Sequence, residues 1–146
     1  VVPFFGQGMN ASFEDCEVLM DCIDVGNENW QAIFAAFNKK RKPDTDAIAK
    51  MAIENYIEMR DLVAQPEYLA RKKLANQLYG KYPNQFIPLY TMVSFTTIPY
   101  SIALKRSGIQ NMILDDLLND KLLDLNEYNK EKSDKLVNMH LPTLDY

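Results

Sequence analysis

The chain has 146 residues, of which 47% are hydrophobic and 25% charged, and its formal net charge is −4. That composition fits one globular domain with a core of its own, and the acidic balance excludes an extended basic footprint for nucleic acid. No run of ~18 apolar residues is present, so no transmembrane helix is expected, and no secretory signal is visible.

The first residues are Val1-Val2-Pro3-Phe4-Phe5, with no initiator Met. Apolar residues suit a core or a strand better than a frayed end, which predicts a piece of a longer protein cut upstream. Ser12-Phe13-Glu14-Asp15 has the form of a capping box. Phe13, Cys16, Leu19, Met20 and Ile23 then follow helical spacing, and Gly26-Asn27 is a plausible stop. A second helix is predicted from Trp30 to Lys40, with Trp30, Ile33, Phe34 and Phe37 on one side and a break at Pro43. The basic cluster Lys39 to Lys42 reads as its solvated C-terminal end. A third helix is predicted from Asp44 to Ala64. A fourth starts at Pro66 as an N1 proline and ends near Gly80, carrying Tyr68, Leu69, Leu74, Leu78 and Tyr79. Phe86 to Tyr100 is rich in aromatic and β-branched residues with two prolines, and periodicity leaves it as a short strand or an irregular packed segment. Helical spacing resumes after Tyr100 through Leu104, Ile109, Ile113, Leu117, Leu118, Leu122 and Leu125. The stretch NEYNKEKSDK is polar and expected to be exposed. There is no internal repeat.

Cys16 and Cys22 are six apart on a helix. At about 100° per residue they point to different sides and cannot bridge. Free thiols fit a reducing, cytoplasmic setting. His140 is the only histidine, so neither a His/Cys zinc site nor a histidine-based nucleophilic mechanism is expected. No metal ligand and no catalytic residue is assigned.

The chemistry-bearing stretch is PFFGQGMN, Pro3 to Asn10. Gly6 and Gly8 can take positive φ and present backbone N–H groups. The helix beyond leaves its first N–H groups unpaired with partial positive charge, which suits an anion. A phosphate and a reduced flavin ring both qualify, and an ordinary glycine turn is the plain alternative. Aromatic walls with a few polar groups favour a ligand pocket. On the third helix Ile48, Met51, Ala52, Met59 and Leu62 lie at −7, −4, −3, +4 and +7 from Asn55, which places this amide in an apolar stripe. An extended Phe86–Met92 would set Phe86, Pro88, Tyr90 and Met92 on one face. Glu58 and Arg60 read as a helix-surface pair or a structural contact.

PFFGQGMN, followed by Phe13-Glu14-Asp15-Cys16, resembles the C-terminal flavin motif of the FAD-dependent single-component aromatic hydroxylases, broadly Pro-x-x-Gly-Gln-Gly-x-Asn. NYIEMR (Asn55 to Arg60) and FIPLYTMV (Phe86 to Val93) narrow the resemblance to the kynurenine-hydroxylating branch. It spans about residues 1–100 and fades beyond. It implies a mainly α chain: the helical C-terminal fragment of an α/β FAD-dependent aromatic-hydroxylase fold. Residues 1–10 would end the FAD-binding motif, 11–140 form the helical C-terminal region with one wall of the substrate site, and 141–146 a tail.

The implied activity of the intact protein is hydroxylation of L-kynurenine to 3-hydroxykynurenine with FAD and NADPH, through a flavin C4a-hydroperoxide. The resemblance places Gly6, Gly8, Met9 and Asn10 at the flavin. It places Pro3, Phe4, Phe5, Gln7 and Met92 around the substrate ring, and Asn55 and Tyr90 on the substrate carboxylate. Some relatives carry histidine where Phe5 stands, so Phe5 has no assigned chemical role. The family's Gly-x-Gly-x-x-Gly fingerprint, its Gly-Asp motif and its substrate-binding arginine are not in this sequence. The partner would be the N-terminal FAD domain of the same protein, and the fragment alone is expected to be inactive and without FAD. Exposed Phe4 and Phe5 suggest a homodimer. Eukaryotic members end in an apolar anchor, whereas the polar end here points to a soluble, bacterial enzyme. The rival readings are another aromatic-ring flavin hydroxylase and a non-enzymatic helical interaction module using Ile113 to Leu125.

Overall fold

The structure, a computed structural model, describes residues 2–26, 28–119 and 128–144. Within them the chain forms helices and no strands: α1 (Gly8–Val25), α2 (Trp30–Asp61), α3 (Pro66–Lys81), α4 (Leu89–Phe95), α5 (Tyr100–Leu118) and α6 (Lys130–His140). The mainly α expectation holds. Val1, Asn27, Leu122, Leu125, Asn126, Glu127 and the last two residues of the expected 141–146 tail lie outside the described residues.

The first helix starts earlier than the capping box implies. Gln7 is its N-cap, without a side-chain cap bond, and the Ser12 hydroxyl donates back to Gly8 O at 2.9 Å instead of capping. Its buried face is also different. Ala11 and Cys22 are buried while Phe13 and Met20 are exposed, because the inner face is the one that carries Glu14 and Asp15. Those carboxylates accept from Arg41, Glu14 Oε2 from Nη1 at 3.0 Å and Asp15 Oδ1 from Nε at 2.7 Å. Arg41 is itself buried. The basic cluster is therefore not a solvated helix end: one of its members is the ion-pair anchor between α1 and α2. At the other end Gly26 lies under Ile33, where a Cβ would come within 2.2 Å of the Ile33 side chain. Ile33 over Gly26 and Arg41 over Ala11 to Asp15 make α1 and α2 an antiparallel pair.

Pro43 does not break the helix, since α2 runs through it for 32 residues. A helix-interior proline forfeits one backbone hydrogen bond and costs ~3 kcal/mol. Here both flanks are anchored, by Ile33 and Arg41 on one side and by Ala47, Ile48, Met51 and Ala52 on the other. Thr45 Oγ1 lies 3.2 Å from the carbonyls of both Arg41 and Lys42. Asp44, predicted to open a separate helix, instead accepts from Ser101 N at 2.8 Å and so caps α5. Asn29 and Asn129 cap α2 and α6 through Ala32 N and Lys132 N.

The 86–100 segment is neither strand nor wholly irregular. Pro88 and Pro99 are the N-caps of α4 and α5, where a proline's missing N–H costs nothing. Of the polar stretch expected to be exposed, Asn129, Lys130, Glu131 and Lys135 are exposed; from Lys130 on it forms the first half of α6, with Ser133 fully buried. Glu58 and Arg60 do not pair with each other. Arg60 binds Asp61, and Glu58 binds Lys72 on α3 at 2.8 Å.

Two cores result. The first joins Phe5, Ala11, Ala47, Ile48, Met51 and Ala52 to Met92, Val93, Tyr100 and Ala103. The second gathers Leu74, Leu78, Tyr82 and Phe86 with Ile113, Leu114, Leu117, Val137 and Leu141. Ile113, Leu114 and Leu117, the described start of the suggested docking stretch, are thus spent inside the molecule. The α5 helix passes through both cores, and its buried Arg106 and Gln110 fall between them.

Candidate functional site

A cleft of about 510 Å³ opens where α2, α3, the 86–90 segment and α5 converge. Helix α2 contributes Met51, Glu54, Asn55 and Glu58 to it, and α3 contributes Tyr68, Arg71 and Lys72. The segment linking α3 to α4 supplies Phe86 and Pro88, the first turn of α4 supplies Tyr90, helix α5 supplies Gln110 and Asn111, and Phe5 closes one side. The segments singled out from the sequence therefore meet in space. Asn55 Nδ2 donates to Phe4 O at 3.1 Å, and the rings of Phe5 and Tyr90 lie stacked with centroids 6.0 Å apart.

Asn55 is half-buried and not sealed in an apolar stripe, because Met59, one turn on, is exposed. A carboxamide has two N–H donors and two acceptor lone pairs. The bond to Phe4 O engages one donor, and the residue lines the cleft. Tyr90 is also exposed, and its hydroxyl has no hydrogen-bond partner among the described residues. Phe5, Asn55 and Tyr90 are thus the predicted site residues that line the cleft.

The others are placed elsewhere. Met92 is fully buried in the first core behind the wall, because α4 is helical where an extended strand would have put Met92 beside Tyr90. Pro3 is exposed, and Phe4 packs its ring on Tyr56 at 4.9 Å. Neither Phe4 nor Phe5 is exposed as expected, and Phe5 is a core residue. Gln7 turns inward: its Oε1 accepts from Asn10 Nδ2 at 2.8 Å and from Tyr100 O–H at 3.2 Å. It ties the glycine turn to α5.

Of the two glycines only Gly6 has positive φ, 68°, the left-handed region that disfavours a side chain. Gly8 is the first helical residue. The first intrahelical bond is Ala11 N–H to Gln7 O at 2.9 Å, so the N–H groups of Gly8, Met9 and Asn10 precede it. All three residues are exposed, and the first turn carries no acidic residue. Nothing lies within 4 Å of where a Cβ on Gly6 or Gly8 would stand. An uncapped, unneutralised helix end with open space beside it fits a flat anionic group.

The α3 side of the cleft was missed from sequence. Glu58 Oε1 accepts from Tyr68 O–H at 2.6 Å as well as from Lys72. Burial alone would raise the Glu58 carboxyl, but the hydrogen bonds from Lys72 and Tyr68 outweigh it and hold it below the usual carboxylate value. Lys72 is held above its usual value: burial opposes this, and the hydrogen bond to Glu58 prevails. Arg71 pairs with Asp115 and donates to Asn111 O at 3.0 Å. Available signals were the spacing of Tyr68, Arg71, Lys72 and Ala75 at 0, +3, +4 and +7, one helix face, and Gln110 in an apolar stripe with Ala103, Ile113 and Leu114.

Among the described residues no helix is long and apolar enough to cross a membrane. No protein-family model matches the chain. Against curated proteins it is 48% identical over 119 residues to the kynurenine 3-monooxygenase of Cytophaga hutchinsonii, covering 81% of this chain and 26% of the relative. It is 51% identical over 114 residues to that of Xanthomonas oryzae pv. oryzae, covering 78% and 25%. With that of Flavobacterium psychrophilum the identity is 38% over 139 residues, covering 95% and 31%. The matched stretch runs past residue 100, although no short motif in α5 or α6 signals it. The chain spans about a quarter to a third of the length of these relatives, and it belongs to the kynurenine 3-monooxygenase family as a C-terminal portion.

Proposed function

We propose that the intact protein is an FAD- and NADPH-dependent monooxygenase that hydroxylates L-kynurenine to 3-hydroxykynurenine. In this reading residues 1–10 end the FAD-binding motif, 11–140 supply one wall of the substrate site and its supporting helices, and 141–146 form a tail. The observation that carries the reading is the meeting of three separate sequence segments at one cleft, through Phe5, Asn55 and Tyr90.

The N–H groups of Gly8, Met9 and Asn10 would hold the pyrimidine edge of FAD, with Gly6 giving the turn its shape. When bound, FAD supplies the oxygen chemistry after NADPH provides the hydride. The residues of this chain bind and orient. The helix end stabilises negative charge. Asn55, through its second N–H, and Tyr90, through its hydroxyl, hold the substrate carboxylate. Phe5 closes the cleft beside the ring and helps to exclude water.

The test uses the full-length protein. L-kynurenine should stimulate NADPH oxidation and yield 3-hydroxykynurenine, whereas phenolic acids should not. Asn55→Ala should raise KM for L-kynurenine about tenfold, the scale of one hydrogen bond to a charged group. Stimulation by phenolic acids in place of L-kynurenine would assign the protein to another branch of the hydroxylases. The chain alone should purify colourless, and near-stoichiometric FAD on it would sink the assignment of most of the cofactor site to the rest of the protein.

A further inference from the structure

Between α3 and α4 the backbone has no regular structure, so its carbonyls need donors from elsewhere. For three of them the donors come from distant parts of the chain. Leu144 N–H donates to Asn84 O at 2.9 Å. Arg106 Nη2 donates to Gln85 O at 2.5 Å, and Gln110 Nε2 donates to Ile87 O at 2.8 Å.

Arg106 and Gln110 are one helical turn apart on α5, and each is only 5% exposed. The arginine makes no ion pair among the described residues, and its Nε has no partner there. A buried cation without a counter-charge is costly, and an apolar side chain usually gives a more stable core. What the arginine provides against that cost is its donation to Gln85 O. What the two donors do is clasp the strip of backbone that presents Phe86 and Pro88 to the cleft and leads directly into Tyr90.

We propose that Arg106 and Gln110 are positioning residues for the cleft. They fix the 84–88 wall, and through it the place of the Tyr90 hydroxyl relative to Asn55 and Phe5. The clasp itself stands on geometry, while the ligand that it serves rests on the function proposed above.

The experiment uses the full-length FAD-loaded protein with Arg106→Met, Gln110→Met and Arg106→Lys. Hydrogen exchange at the Phe86 and Met92 amides, which are bonded to Tyr82 O and Pro88 O, should quicken about tenfold in both Met variants, as expected for one lost hydrogen bond. Exchange in α1 should not change. KM for L-kynurenine should rise about tenfold with kcat within about twofold. Arg106→Lys should recover most of that rise, because an ammonium still donates to Gln85 O. Unchanged exchange at Phe86 and Met92, or an unchanged KM in folded variants, would overturn the proposal, as would a Lys variant no better than Met. Should Arg106→Met fail to fold, Gln110→Met carries the test, since it removes a neutral donor and keeps the volume. A wild-type protein with no activity on L-kynurenine would remove the function reading alone, and the exchange measurement would still decide the clasp.

Discussion

Along α5 the molecule changes character between Ala103 and Ile113. On the N-terminal side the core is built with small residues, Ala11, Ala47, Ala52 and Ala103, set among Ile48, Met51 and Met92. Small side chains let helix axes approach closely, and here they bring α2 against both α1 and α5. Polar closures seal this half: Arg41 onto α1, Asp44 onto the start of α5, and Gln7 onto Tyr100. On the C-terminal side Leu78, Phe86, Ile113, Leu117 and Val137 fill the space with large side chains. Its polar closure is a latch, in which the Tyr82 hydroxyl meets Ser133 Oγ at 3.2 Å and Asp134, itself paired with Lys81 at 2.7 Å. The first half sets the geometry of the turn, and the second buttresses the wall of the cleft.

The comparison breaks most directly in the cores. Ile48→Ala and Leu78→Ala each remove a fully buried side chain, and each should cost about 3 kcal/mol within a range of about 2–5 in urea unfolding. Their functional effects should differ. In the full-length protein only Ile48→Ala should weaken FAD retention, and equal FAD loss in both variants would show that the halves are not separable.

Arg41→Met should have the next largest effect. It leaves Glu14 and Asp15 without their partner, but those carboxylates are 46% and 38% exposed and regain water. A loss of about 2 kcal/mol is expected, below the ~3–5 kcal/mol of a fully buried pair, and α1 should become more sensitive to proteolysis than α6. Glu58→Gln should cost less, about 0.5–1 kcal/mol, because Lys72 is largely exposed. Its sign with pH is fixed. The Glu58 carboxyl is held low in the folded state, so its contribution is present above the ordinary carboxylate range and is lost as pH falls through about 4 and below. The stability difference between wild type and Glu58→Gln should therefore shrink on acidification, and a constant difference from pH 7 to pH 3 would remove the pair from the account. Lys42→Ala should have the smallest effect, within about 0.5 kcal/mol, since both members of the Lys42–Asp46 pair are more than half exposed.

Much of the first half was legible in the residues. Gly6 and Gly8 marked the turn, and the spacing around Asn55 marked an amide close to a core. The misreadings share a cause. In the sequence Pro43 reads as a break, because the ~3 kcal/mol local cost is visible there and the tertiary anchors, Arg41 above all, are not. On α1, Phe13 and Met20 outweigh Ala11 on any hydrophobicity count, yet Ala11 is the buried residue, because the partner that covers it lies 30 residues away. The polar stretch before Leu136 is largely exposed, as its composition indicates, and a single buried Ser133, donating to Lys130 O at 2.8 Å, seats it. Local signals identified helices well. They could not choose faces, which are set by the partner.

The latch and the wall also bear on the order in which the molecule assembles. Tyr82 meets Ser133 across 51 residues, and Gln85 donates to Leu141 O at 3.0 Å across 56. Closing loops of that length carries an entropic cost before any contact repays it. The α1–α2 pair, joined by a short turn, needs no such closure and is expected to form first. The cleft should then gain its final shape only when α6 and the residues after it dock, which makes the wall beside Tyr90 a late product of folding.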